Sequence, residues 1–245
     1  MLDKLTKLGF SSTESKELIK VSNDIEKDYE LLKKGYPIQY LIGYVNFYGY
    51  KIYVNKNVLI PRFETELLVE KLLKYAKELF KNPKVLDLCT GSGAIAIAVK
   101  KNINCTIDAS DISKKALEIA KKNIEENKVE INLLEDDLLK NNNKKYDIII
   151  SNPPYISKNE QIMKTVYDYE PHLALFADNN GLEFYERIIK ESKNNLNKKF
   201  IIAFEIGYEQ SDYITSLAKK QYPKAKIITE KDYSGKDRYI FIINE

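Results

Sequence analysis

From residue 64 onward, short apolar runs alternate with segments of helical rhythm, and that alternation constrains the fold of the 245-residue chain more than any other feature. In Glu64 to Phe80 the residues Leu67, Leu68, Leu72, Leu73, Ala76 and Leu79 recur at i, i+3 and i+4, which predicts a long amphipathic helix. Strands are predicted over Val85–Leu88, Cys105–Ala109, Val129–Leu134, Tyr146–Ser151 and Phe200–Ile206, and helices over Ala94–Lys101, Lys114–Asn127, Leu182–Asn195 and Gln210–Gln221. Short buried strands joined through helices pair in parallel with right-handed crossovers. Lys224–Thr229 and Arg238–Ile243, around a turn at Ser234-Gly235-Lys236, read as a closing antiparallel pair, which completes a seven-stranded α/β sheet.

The chain ahead of this body differs in composition. Residues 1–34 read as a small helical head, with Ser11-Ser12-Thr13-Glu14 resembling a helix-capping signal. Residues 35–60 are rich in aromatic and β-branched types, including Tyr40, Tyr44, Phe47, Tyr48, Tyr50 and Tyr53, with Gly43 and Gly49 as turn points. They predict a β-hairpin linker whose aromatics pack against the body, which runs over 61–245. Basic residues form scattered doublets and the formal net charge is only +3, so no dedicated nucleic-acid-binding domain is expected. Two cysteines, Cys89 and Cys105, and one histidine, His172, give neither a disulfide framework nor a zinc cluster, and no metal is expected. The N-terminus lacks a signal-peptide pattern, and the longest clean apolar run, Ala94 to Val99, is too short to cross a bilayer. A soluble, cytoplasmic monomer is the expectation.

The first strand of the body runs into Cys89-Thr90-Gly91-Ser92-Gly93-Ala94, where two glycines allow close backbone approach and a helix begins at once. In an open α/β sheet this is where nucleotides sit, as in Rossmann-like folds. Asp111 follows Gly91 at the spacing of about 20 residues expected for a ribose-binding carboxylate. After the third strand, Glu135-Asp136-Asp137 brings carboxylates close to where an adenine would lie; Asp137 would accept from its amino group and Leu138 would wall it. These features fit a nicotinamide-dependent dehydrogenase and an S-adenosylmethionine-dependent methyltransferase equally well.

The fourth strand decides between them, because it ends in Ser151-Asn152-Pro153-Pro154-Tyr155. Two prolines with fixed φ and no N–H make a rigid turn that leaves backbone carbonyls free. A planar –NH2 group has two protons to donate. The Asn152 side-chain oxygen and the Pro153 carbonyl would accept one each while Tyr155 covers the face of the group, aiming its nitrogen at an incoming methyl. A dehydrogenase has no use for such a cluster. Arg62 and Glu64 would either bound the pocket or pair at the start of the long helix. Glu205 is a strand-end carboxylate, either near the cofactor or purely structural, and His172 is given no role.

On these motifs the sequence resembles the release-factor glutamine methyltransferase family, class I enzymes that methylate the side-chain amide of the glutamine in the Gly-Gly-Gln motif of peptide chain release factors. The resemblance runs through Pro37-Ile38-Gln39-Tyr40-Leu41-Ile42-Gly43, Ile60-Pro61-Arg62-Phe63-Glu64-Thr65-Glu66, Asp87 to Gly93, Ser110-Asp111-Ile112-Ser113, Asn152 to Ile156, Glu170-Pro171, Gly181-Leu182 and Glu205-Ile206-Gly207. It implies a class I methyltransferase sheet, S-adenosylmethionine as cofactor, and release factors as partners. Thr90, Gly91, Ser92 and Gly93 would then line the methionine end of the cofactor, Asp111 its ribose, and Asn152, Pro153, Pro154 and Tyr155 the substrate amide. The Asn-Pro-Pro-Tyr element is shared with adenine N6-methyltransferases acting on DNA or RNA, which stand as the alternative. Cys89 in place of the family's usual Gly, Phe63 in place of Pro, and a short helical head depart from the pattern.

Overall fold

The computed structural model describes residues 1–245. The head comprises α1 (Leu2–Lys7), α2 (Ser12–Val21) and α3 (Ile25–Lys33), followed by α4 (Ile38–Ile42) and a hairpin of β1 (Tyr44–Phe47) and β2 (Tyr50–Tyr53). The body then runs α5 (Phe63–Leu79), β3 (Lys84–Leu88), α6 (Ala94–Asn102), β4 (Thr106–Asp111), α7 (Lys114–Asn127), β5 (Asn132–Glu135) and β6 (Tyr146–Ser151). A less regular stretch holds β7 (Ile156–Ser157), α8 (Lys164–Tyr169), β8 (Phe176–Ala177) and α9 (Asp178–Gly181). It ends with α10 (Glu183–Glu191), β9 (Leu196–Glu205), α11 (Ser211–Gln221), β10 (Lys226–Lys231) and β11 (Asp237–Asn244).

Seven strands form one sheet in the order β10-β11-β9-β6-β3-β4-β5, with β11 antiparallel to both its neighbours and the remaining pairs parallel. The sheet is buried on both faces, and the period of two is visible in its core. Val85, Ile148 and Ile150 point into one apolar layer, while Leu86, Leu88 and Ile149 point into the other. Each such fully buried aliphatic contributes about 1.5–3 kcal/mol. Register aligns the strand ends: Leu88 lies opposite Ser110 on one side and Ser151 on the other. The carboxyl edge between β3 and β6, where the chain order reverses, is therefore a topological switch point.

The head has its own small core of Leu5, Leu18, Leu32 and Ile38. At α2 the Ser11 hydroxyl accepts from the Glu14 N–H and the Glu14 carboxylate accepts from the Ser11 N–H, a closed capping box. The predicted hairpin is shorter than its aromatic stretch, because Ile38–Ile42 coils into α4 before Gly43, in the left-handed region at φ +84°, releases the chain into β1. Phe47, Ile52, Val54 and Val58 join the same apolar layer as α5 and α6, so the hairpin is packed on the body. The strands and helices of the body fall where the periodicity predicts, with ends moved by a few residues. β9 begins at Leu196 rather than Phe200 because Leu196 pairs with Tyr146, and α10 gives way to a 3₁₀ turn over Ser192–Asn194. The elements between Ile156 and Gly181 carry no periodic signal and were not predicted.

Candidate active site

A cavity of about 320 Å³ opens at the carboxyl edge of β3, β4 and β6, within the size range of small-ligand sites. Its wall includes Gly91, Asp111, Asp137, Leu138, Asn152 and Pro154, drawn from four separate strand ends. Thr90, Ser92 and Gly93 of the glycine loop, and Pro153 and Tyr155 of the turn, stand behind the residues that line it. The Thr90 hydroxyl donates to buried Asp87, the Ser92 carbonyl accepts from Asn123, and Gly93 packs so close to α7 that a Cβ there would sit 3.3 Å from Ala120. These residues shape the loop, whereas at Gly91 a Cβ would meet nothing within 4 Å.

Cys89 occupies the left-handed region at φ +59°, a conformation that glycine adopts without strain. The chain thus keeps the turn at a cost of order 1 kcal/mol. Burial pushes the Cys89 thiol far up, so it stays neutral. Leu138, on the opposite wall, is also left-handed at φ +58°.

Asp111 receives the Gly91 N–H at 2.9 Å on one oxygen and the Ser113 N–H at 2.9 Å on the other. It ties the glycine loop to β4, with Ser113 rather than Asp111 capping α7. Its pKa is raised by burial, an effect opposed by these N–H donors. Asp137 is held by Arg187 at 2.8 Å, an ion pair absent from the sequence reading. The Arg187 side chain, from α10, closes that end of the cavity together with Phe184 and Glu183.

At the other end, Asn152 Nδ2 donates to Thr65 Oγ1 at 3.0 Å, and Thr65 Oγ1 donates to Glu205 Oε2 at 2.7 Å. Glu205 is buried, 2% exposed, and burial pushes its carboxyl up to about 7. The Tyr155 hydroxyl points at its second oxygen, 3.5 Å away. The Pro153 carbonyl accepts no hydrogen bond within the chain. Arg62 pairs with buried Glu170 rather than with Glu64, and Glu170 also accepts from the Ile60 N–H at 3.2 Å. Neither Arg62 nor Glu64 lines the cavity. His172 lies between Tyr167 and Phe176 with Nε2 on the Tyr167 carbonyl.

Two further residues were missed by the motif reading. Asp87 Oδ1 and Ser110 Oγ are buried polar atoms with no partner in the protein. Asp87 is wholly buried and its carboxyl is pushed up to about 7 by that burial. Its position two residues before the glycine loop was the available signal. Unpaired buried polar atoms are expected where a ligand completes the hydrogen bonding. Asp111, Asp136, Asp137 and Glu183 around the cavity outnumber Arg187, so the wall favours a cationic ligand with hydroxyl donors. S-adenosylmethionine, with its sulfonium, ammonium and ribose diol, matches that donor set.

The sheet order, the glycine loop at its switch point and the Asn-Pro-Pro-Tyr turn beside the cavity define a class I methyltransferase. Residues 63–169 match the family described as the methyltransferase small domain. A release factor glutamine methyltransferase of Streptococcus pneumoniae (strain R6) is 42% identical over 221 residues, 89% of this chain and 78% of that protein. The crystal structure of a release factor-specific protein-(glutamine-N5) methyltransferase from Alicyclobacillus acidocaldarius superposes at a TM-score of 0.51 with 26% identity, covering 78% of this chain and 98% of that one. In fold alone, a T. thermophilus 16S rRNA N2 methyltransferase in complex with AdoMet and guanosine matches at a TM-score of 0.59 with 15% identity, over 82% of this chain and 50% of that one. The chain belongs to the release factor glutamine methyltransferase family.

Proposed function

We propose that this chain methylates the side-chain amide nitrogen of the glutamine in the Gly-Gly-Gln motif of peptide chain release factors, with S-adenosylmethionine as donor. The observation that carries this reading is the state of Asn152. Its Nδ2 is already bound to Thr65, so the pole it has left for the cavity is an acceptor, matched to an –NH2 group. The Pro153 carbonyl, unpaired within the chain, is the second acceptor. An amide nitrogen is a poor nucleophile because its lone pair is delocalised into the carbonyl. Two acceptors on its two protons fix its plane and favour the tetrahedral nitrogen that forms as positive charge develops there.

Gly91, Asp111, Asp137 and Leu138, together with Asp87 and Ser110, would hold the cofactor. Asp111 would take the ribose hydroxyls and Leu138 would wall the adenine. When bound, the cofactor supplies an electrophilic methyl group on a sulfonium. No strong base is needed at the amide, and Asn152 does not titrate near neutrality, so its contribution is orientation. The acidic wall lowers the cost of holding the cation in a partly buried site.

Residues 1–34 would grip the release factor while the Gly-Gly-Gln loop enters the cavity, its glycines letting the backbone pass without side-chain clashes. We place this activity in the cytoplasm, where release factors act. Removing the head should raise KM for the factor and leave cofactor affinity unchanged; equal turnover by the truncated protein would refute that role. The test of the function itself is transfer of labelled methyl from S-adenosylmethionine to purified release factor, DNA or RNA. Label in the factor's glutamine is expected. Label in nucleic acid alone would replace this reading with adenine N6-methylation.

A further inference from the structure

We propose that Glu205 is a positioning residue for the transfer: acting through Thr65 and facing Asn152 itself, it fixes which pole of the Asn152 amide meets the substrate. The inference rests on the reading that Asn152 accepts a proton of the substrate amide. An asparagine amide rotated by half a turn exchanges its acceptor for a donor at almost unchanged shape, and a donor facing the substrate –NH2 would repel it. Something outside the Asn-Pro-Pro-Tyr turn must therefore set the rotation.

The hydrogen-bond chain does so by proton counting. Thr65 has one hydroxyl proton, and it lies on Glu205 Oε2 at 2.7 Å. Towards Asn152, 3.0 Å away, Thr65 Oγ1 can then only accept, so the atom facing it is Nδ2 and the carbonyl oxygen is the pole left free. The chain spans 140 residues of sequence between Thr65 and Glu205 but three adjacent elements in space: the start of α5, the end of β6 and the end of β9. Tyr155 Oη lies 3.5 Å from the other Glu205 oxygen.

The polarity depends on Glu205 having no proton to donate to Thr65. A protonated Glu205 can reverse the chain, turning the Thr65 proton towards Asn152 and the amide –NH2 towards the substrate. The groups facing Glu205 are Thr65 and Glu64 of α5, Arg238 and Tyr239 of β11, Asn152 and Tyr155 of the turn, and Tyr185 of α10, whose hydroxyl donates to the Glu205 main-chain oxygen at 2.8 Å. Of the two charged neighbours, Arg238 favours the carboxylate and Glu64 opposes it. Burial outweighs Arg238 and brings the titration to about 7.

The test is methyl transfer to release factor by the full-length chain, with kcat followed over about pH 6–9 and cofactor affinity measured by calorimetry. In the wild type kcat should rise with pH through about 7. In Glu205→Gln, which carries no titrating proton, the rise should be gone, with cofactor Kd within about twofold. Thr65→Ser should keep the wild-type profile, whereas Thr65→Val should lower kcat near pH 8 at least about tenfold. That serine–valine pair decides the matter if Glu205→Gln fails to fold. An unchanged pH rise in Glu205→Gln, or equal activity in Thr65→Ser and Thr65→Val, would overturn the proposal alone. A wild-type chain that transfers no methyl to release factor would overturn the functional reading and this proposal with it.

Discussion

Gly181→Ala tests how the Asn-Pro-Pro-Tyr turn is held. Gly181 ends α9 at φ +83°, and a Cβ built there would stand 2.1 Å from the Tyr155 carbonyl oxygen, 2.9 Å from its carbon and 2.6 Å from Gln210 Nε2. Ordinary contact begins near 3.4 Å, so the nearest atom must retreat by about 1.3 Å, and it belongs to backbone. The same carbonyl accepts from Gln210 Nε2 at 3.0 Å, while Gln210 Oε1 accepts from the Gly207 N–H at 2.9 Å. The substitution therefore breaks a clamp linking the turn, α9 and the loop after β9. Its cost has two parts: about 1–2 kcal/mol for a non-glycine residue in the left-handed region, and about 1–3 kcal/mol for the displaced hydrogen bond. The sum, about 2–5 kcal/mol, corresponds to a Tm lowered by roughly 5–15 °C for a domain of this size. A shift of about 1 Å beside the reacting group should also lower kcat about a hundredfold. Thermal unfolding and methyl transfer at saturating cofactor, with calorimetric cofactor binding as the control, would measure all three. Wild-type Tm and kcat in Gly181→Ala would refute the clamp.

Three other predictions follow. Asn152→Ala leaves a substrate amide proton without its acceptor at a cost of about 1–3 kcal/mol and frees the amide to rotate, so kcat should fall about a hundredfold with cofactor affinity nearly intact; near-normal transfer would end the orientation mechanism. Asp111→Ala should raise the apparent cofactor constant more than it lowers the saturated rate, since its contacts are made about equally in ground and transition states; a pure kcat defect would contradict the assignment. Asp87 and Glu205, both raised to about 7, keep protons in the folded chain that the unfolded chain has released. The stability they confer is therefore full below the unfolded carboxylate range and is lost as pH rises through about 7. The ligand-free protein should lose up to about 1.4 kcal/mol per pH unit and per group between about pH 5 and 7, and Asp87→Asn should flatten that slope in thermal unfolding.

What the sequence revealed of the site follows from how locally each feature is encoded. The spacing from Gly91 singles out Asp111 as a candidate, and the structure brings the two together at the ends of adjacent strands, with the Gly91 N–H on the Asp111 carboxylate. Tyr146–Ser151 and Lys114–Asn127 are legible because one is an apolar run bounded by polar residues and the other an amphipathic repeat. The partners of Arg62 and Thr65 lie 108 and 140 residues away, on elements that no periodicity brings together, and so were invisible. Arg62 illustrates the hazard: Glu64 is the near carboxylate in sequence, but α5 begins between them, and the buried Glu170 takes the guanidinium instead. The Arg187–Asp137 pair was missed for the same reason, because it depends on α10 lying over the end of β5.

Several of the places where local rules are broken lie at one edge of the sheet. Cys89 and Leu138 take left-handed backbone, Asp87 and Ser110 keep unpaired buried oxygens, and Asp87 and Glu205 are carboxyls buried without a salt bridge of their own. In the strands themselves, by contrast, burial alternates face by face and the seven-strand ladder runs without a break in order. A fold whose only aim was stability would remove these features, since each costs of order 1–3 kcal/mol and conservative replacements exist for all of them. Cys89, Ser110 and Leu138 line the cavity, while Asp87 and Glu205 hold residues beside it through Thr90 and Thr65. Left-handed backbone also occurs at Tyr48, Lys128, Asn179 and Asn180, and unpaired buried oxygens at Ser15 and Glu191, so it is the coincidence of Cys89, Leu138 and Ser110 in one cavity that agrees with the motifs.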